Sequence, residues 1–245
     1  MSNIRKLTVA VCLSTVVFAS TAAKAEWQYN WLLGVSAGWN QNEGSGDGFI
    51  TPPAPAAQTL FSGHDVSDSN FIGGVFAGYQ ARCNGWLLGV ELNVDWQGNG
   101  DDNNFVFTDA TGATWAGTAS YKRDATVGLT GRMGFEISPY FMPYVRAGVE
   151  TSDDDASFSM ANNAVVPLVV SASDSSRSYR FVGGVGAEFP VPMLSGLSFR
   201  AEYNYHSRGK ALDASAVASD NLTVAGVSVH PHANSVKASL VWNFL

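Results

Sequence analysis

The residues best suited to chemistry are ionised side chains that recur at every second position of short segments. Lys122, Arg132, Arg146, Arg180, Arg200 and Lys237 are set against Glu91, Asp95, Asp124, Glu136, Glu150, Glu188 and Glu202. The two signs nearly balance. That is expected of groups that face one another in a closed interior, because an isolated buried charge is costly and must pair. Other candidates lack a complete constellation. His206-Ser207 has the residue types of a hydrolase, but neighbours on a strand point to opposite faces and spacing identifies no third, orienting group. His206 is therefore expected at the mouth of the charged interior, and no catalytic residue is assigned. His230-Pro231-His232 offers two metal ligands with no cysteine nearby, too few for a closed site. Asp101-Asp102 and Asp153-Asp154-Asp155 could bridge calcium to lipopolysaccharide phosphates, but loose acidic runs are ordinarily solvated. No glycine loop that follows a strand and opens a helix is present, so neither a nucleotide nor any other cofactor is expected.

The elements that carry these charges alternate with period two, the mark of a strand with unlike faces. Eight such segments occur, at 31–40, 71–80, 86–96, 121–136, 143–150, 179–189, 197–206 and 235–244. In WLLGVELNVDW, for example, Trp86, Leu88, Val90, Leu92, Val94 and Trp96 form one row, and Glu91, Asn93 and Asp95 fall in the other. Short turn-like connections at Cys83-Asn84-Gly85, around Ser138-Pro139-Tyr140 and from Pro190 to Gly196 alternate with long polar stretches. The long ones lie at roughly 41–69, 98–119, 151–177 and 207–233. Short turns at one end and long loops at the other describe an antiparallel barrel in an outer membrane.

The first 25 residues have a basic start, an apolar run from Leu7 to Ala19 and Ala23-Lys24-Ala25 before Glu26. They read as a secretory signal peptide, with residues 26–245 as a single barrel domain. Removing them takes three cations, Arg5, Lys6 and Lys24, from a chain of 14 Lys and Arg against 21 Asp and Glu. The acidic remainder argues against a nucleic-acid partner, which calls for a basic face. Cys83 is then the one remaining cysteine, so no internal disulfide is expected. No later segment has the eighteen or more apolar residues of a spanning helix, but a spanning strand needs only about 9 to 11 residues.

A secreted β-sandwich would also alternate, its apolar row facing a dry core. Lipid is favoured by strand length and by the placement of aromatics. Trp86 and Trp96 are about 34 Å apart along a strand, or about 26 Å along the axis of a barrel tilted near 40°, close to the roughly 25 Å apolar band between aromatic girdles. With strand direction alternated, Trp39, Phe71, Trp96, Tyr121, Tyr179, Tyr203 and Tyr205 fall at the loop end. Trp31, Tyr79, Trp86, Phe135, Phe189, Phe199, Trp242 and Phe244 fall at the turn end. The expected fold is all-β, an eight-stranded antiparallel up-and-down transmembrane β-barrel with long extracellular loops and short periplasmic turns. Eight strands leave an interior about filled by side chains. Two loop segments, 104–119 and 164–170, are apolar enough to add strands, which would give ten or more and a small pore.

The runs NFIGGVFAGYQARCNGWLLGVELNVDW, TVGLTGRMGFEISPYFMPYVRAGVE, FRAEYNYHS and SLVWNFL resemble the opacity-type outer-membrane β-barrel family of Gram-negative bacteria. The likeness covers all eight strands but not the long loops. It implies a surface protein of the cell outer membrane acting in envelope integrity, adhesion or antigenic display. The partners it implies are outer-membrane lipid and lipopolysaccharide, the barrel-assembly machinery through the C-terminal strand, and a host or surface ligand at the loops. Family members usually finish on an aromatic, whereas this chain ends Phe244-Leu245. The competing functions are a narrow porin that passes small solutes and a surface lipid hydrolase acting through His206.

Overall fold

The computed structural model describes residues 26–55, 57–98, 103–164, 167–209 and 212–244; the expected signal peptide lies outside them. Alternation produces strands throughout: β1 (Gln28–Thr51), β2 (Thr59–Cys83), β3 (Trp86–Gln97), β4 (Asn103–Thr108), β5 (Thr114–Arg123), β6 (Thr126–Phe135), β7 (Met142–Asn162), β8 (Val169–Pro190), β9 (Leu197–His206), β10 (Leu212–Val217) and β11 (Val224–Phe244). Eight of them close a ring of antiparallel pairs in the order β1-β2-β3-β6-β7-β8-β9-β11, with β11 returning to β1. This is the expected eight-stranded barrel.

Local residue choice sets the register. Asn84 and Gly85 have φ of 49° and 81°, the paired positive values of the Asn-Gly turn whose twist matches two right-handed strands. Trp86 is thereby placed opposite Cys83 and Leu92 opposite Ala77. The apolar row then faces outward: Leu88, Val90 and Leu92 are 46, 54 and 52 % exposed, while Glu91 and Asp95 are buried. So large an apolar surface is tolerable only against hydrocarbon. The Leu92→Lys variant is expected to lose about 2 to 4 kcal/mol of folding free energy, the cost of a lysine near mid-bilayer. Denaturant titration in liposomes measures it, and unimpaired folding would contradict the assignment of the outer face.

The long polar stretches are not open loops. β1, β2, β7, β8 and β11 each run for 21 to 25 residues, far beyond the 9 to 11 that cross a bilayer, because their hydrogen-bonded pairing continues: Thr51 still pairs with Val224, and Ala161 with Val169. β3, β6 and β9 stop near the membrane surface. Above it the cylinder divides into two four-stranded sheets, β2-β1-β11-β10 and β4-β5-β7-β8. Ile50, Ala214 and Ala225 of the first sheet meet Trp115, Phe158, Met160 and Val170 of the second in a dry cluster. Residues 104–119 fall largely in the β4–β5 hairpin, and the end of 164–170 opens β8. Both lengthen the extracellular part and leave the membrane ring at eight strands. A sandwich core thus stands on top of the barrel, although sequence reasoning had set the two architectures against each other.

Candidate functional site

Inside the barrel the inward residues meet in tiers. Near the turn end, Arg200 donates from Nε to Glu188 at 2.9 Å and from Nη1 to Glu91 at 2.8 Å. Arg132 reaches Glu188 at 2.8 Å and lies 3.4 Å from Glu91. Arg82 closes on the other oxygen of Glu188 at 3.2 Å. The guanidinium of Arg132 also sits 4.7 Å from the centre of the Tyr144 ring, and that of Arg200 5.3 Å from the Phe76 ring, so planar cations stack as well as pair. In the middle, Arg146 binds Glu202 at 2.7 Å, with Tyr144 donating to the same carboxylate at 2.5 Å. Lys237 pairs with Asp95 at 2.7 Å. Near the mouth, Arg180 pairs with Asp154 and Arg123 lies 3.6 Å from the same carboxylate. His206 links Glu150 at 2.8 Å to Ser235 at 3.1 Å.

Three residues predicted for this interior lie elsewhere. Lys122 and Asp124 are 57 and 52 % exposed in their side chains, and Glu136 is exposed beyond the end of β6. The alternation slips by one at the break between β5 and β6. Odd residues point inward up to Arg123, Asp124 and Ala125 are both exposed, and even residues point inward from Thr126. A one-residue slip exchanges the faces of a strand, so Arg123 takes the interior place expected of its neighbours. Tyr121 follows the same shifted phase. Its hydroxyl accepts from Arg180 at 3.1 Å rather than joining the girdle, while the other expected girdle aromatics are exposed on the outer face.

Sequence reasoning missed Arg82, Arg123 and Asp154. Asp154 lies within a run read as solvated, yet it is 1 % exposed. Its only signal was strand parity, since Ser152 and Asp154 continue the inward row of β7 past Glu150. Ser235, His206 and Glu150 form a serine-histidine-acid chain that spacing could not reveal, Ser235 and Glu150 belonging to β11 and β7. All three are buried, and Ser207 is not part of it: its hydroxyl accepts from the Phe181 amide at 2.9 Å.

Space inside is scarce. A cavity of only about 10 Å³ remains among Ser36, Phe76, Glu91, Asp95, Arg146 and Lys237, far below the roughly 300 Å³ at which pockets for drug-sized molecules begin. The arrangement can rigidify the cylinder and hold protons and water. Among the described residues no cluster of three metal-ligating side chains occurs.

These features agree with what the chain resembles among known proteins. It is 28 % identical over 213 residues to outer membrane protein A of Serratia marcescens, across 80 % of this chain and 56 % of that protein. The chain thus spans little more than half the length of that relative. Among solved structures it is similar to Ail, the attachment invasion locus protein of Yersinia pestis, at 14 % identity and a TM-score of 0.33, covering 86 % of this chain and 98 % of that one. It is also similar to neisserial surface protein A, at 11 % identity and a TM-score of 0.36, over 84 % and 97 % of the two chains. Residues 9–244 match the family described as outer membrane protein beta-barrel domain, and with nearly its whole length matched the chain belongs to that outer-membrane family of Gram-negative bacteria.

Proposed function

We propose that the protein is a closed surface scaffold whose charge-filled barrel anchors an extracellular β-sandwich for adhesion or antigenic display. One observation carries this reading: the interior is filled by paired charges and then covered by the dry cluster around Trp115 and Met160. A solute would have to break both to pass. The module, by contrast, is built to stand outside the cell with a core of its own, as a recognition surface requires. Its proposed partners are lipopolysaccharide around the barrel and a surface ligand at the module.

Reconstitution into planar bilayers is expected to give no steady conductance, and sizeable stable channels would overturn the scaffold in favour of a narrow porin. Bacteria that display the chain should adhere to host-cell or matrix surfaces better than bacteria displaying a barrel in which residues 98–124 are replaced by a short Gly-Ser turn. Equal adherence would remove the recognition role.

A further inference from the structure

The charges of the barrel interior do not cancel in every tier. In the middle, Arg146 and Lys237 face Glu202 and Asp95. Near the mouth, Arg123 and Arg180 are matched by Asp154 and by the Glu150 that binds His206. At the turn end, the three guanidiniums of Arg82, Arg132 and Arg200 share only two carboxylates, Glu91 and Glu188. One positive charge is left over. The side chains of Arg132 and Arg200 are fully buried, whereas that of Arg82 is 31 % exposed. Its Nη2 donates to Glu188 at 3.2 Å, and its Nε–H has no hydrogen-bond partner among the described residues. The other two carboxylates at this end, Glu26 and Glu136, are exposed and enter no ion pair among the described residues.

Arg82 opens on a cavity of about 690 Å³ at the turn-side rim, within the roughly 300 to 1,000 Å³ of small-molecule sites. It is the one charged side chain among the described residues that line this cavity, which runs from Asn30 and Asn243 inside to Trp242 and Phe244 of the lipid-facing row. The amides inside satisfy one another: the Asn243 side-chain carbonyl accepts from Asn30 at 3.0 Å and from Gln80 at 2.9 Å. The unmet demand is therefore for an anion, and it falls on Arg82. Depth sets the class of that anion. Arg82 lies three residues beyond Tyr79 of the turn-side girdle, about 10 Å along the strand or about 8 Å along the axis at a tilt near 40°. A hydrocarbon core of about 30 Å in a bilayer of about 40 to 45 Å leaves about 5 to 8 Å of headgroup on each side. Lipid phosphates stand at that depth, and the planar guanidinium fork matches phosphate oxygens. We propose that this cavity binds a monoanionic phosphate group, carried by an anionic phospholipid or as free phosphate, with Arg82 as its principal ligand. Filling it neutralises the turn-end tier without a further side chain.

The chain refolded in a maltoside detergent, its barrel state checked by heat-modifiable gel migration, is offered dioleoylphosphatidylglycerol, dioleoylglycerol or inorganic phosphate. Native mass spectrometry reads lipid retention and calorimetry reads phosphate binding. One phosphatidylglycerol per chain is expected to be retained in preference to dioleoylglycerol. Arg82→Gln should weaken that binding at least about tenfold, the loss expected of a hydrogen bond between charged groups. Ser195 is an exposed turn residue on the cavity wall, so Ser195→Glu supplies a carboxylate from the chain itself and should displace the ligand while leaving the strands intact. Saturable binding of inorganic phosphate with the same dependence on both variants supports the site and identifies its ligand as the free ion. Equal retention of dioleoylglycerol and phosphatidylglycerol, binding unaltered by either variant, or no saturable binding of any probe overturns it.

Discussion

Replacing Arg200 with alanine is expected to lower the unfolding free energy by about 3 to 5 kcal/mol, the typical cost of removing one partner from a buried ion pair. Arg200 is 0 % exposed and bonds both Glu91 and Glu188. After truncation Glu188 keeps Arg132 and Arg82, but Glu91 retains only the 3.4 Å approach of Arg132. The penalty therefore falls mainly on Glu91, and Arg200→Met combined with Glu91→Gln should recover much of it, since replacing both ions with uncharged groups of similar volume removes the stranded charge. Guanidinium unfolding of the reconstituted barrel, followed by tryptophan emission, measures both variants. An unchanged midpoint for Arg200→Ala would mean that lumen water screens the network, and the closed-scaffold reading would lose its basis.

The second large effect belongs to the module. Trp115 is 1 % exposed at the centre of the dry cluster, and Trp115→Ala should cost the extracellular sandwich about 3 to 5 kcal/mol, as large-to-small changes of a buried aromatic do. The barrel should persist, because its ring closes without β4, β5 or β10. The expected signature is a retained heat-modifiable gel shift together with new protease sensitivity of the 103–123 hairpin on intact cells. Loss of the barrel state itself would show that the two parts are not separable. Trp115 Nε1 also donates to Asp109 at 2.9 Å. Burial alone would raise the Asp109 carboxyl, but donors from Thr111, Trp115 and Ala113 outweigh it and hold the group below its ordinary 3.8. A depressed folded value stabilises above the unfolded one and is lost as pH falls through the folded value. The hairpin should therefore loosen only below about pH 4, and Asp109→Asn should remove that dependence.

The membrane ring was legible because hydrocarbon imposes one rule on every strand, and rows such as Leu88, Val90 and Leu92 obey it without exception. Trp31, Trp86 and Trp242 marked its edges for the same reason. The extracellular module was not legible. Its core draws on Ile50, Trp115, Met160 and Val170 from four strands far apart in sequence, and its outer faces carry Ser, Asp and Gly in the mixture that open loops also show. The interior was legible in kind but not in every member. Parity placed Glu91, Arg132, Arg146 and Arg200, but it failed where the chain leaves one strand and starts another in the opposite phase, at Asp124 and Ala125. Partners outside an alternating row, such as Arg82 at the end of β2, gave no periodic signal.

The break after Gln97 has a further meaning. β3 ends and β6 begins as direct partners, Asp95 facing Thr126, with the Gly98 amide fastened to the Phe71 carbonyl at 3.0 Å. The described residues between them form the β4–β5 hairpin, inserted above a β3–β6 stem that is already complete at the rim. The pairing of β3 with β6 therefore does not depend on the length of the inserted segment, whose β5 instead builds on β7 from Arg123 opposite Asp154 up to Trp115 opposite Asn162.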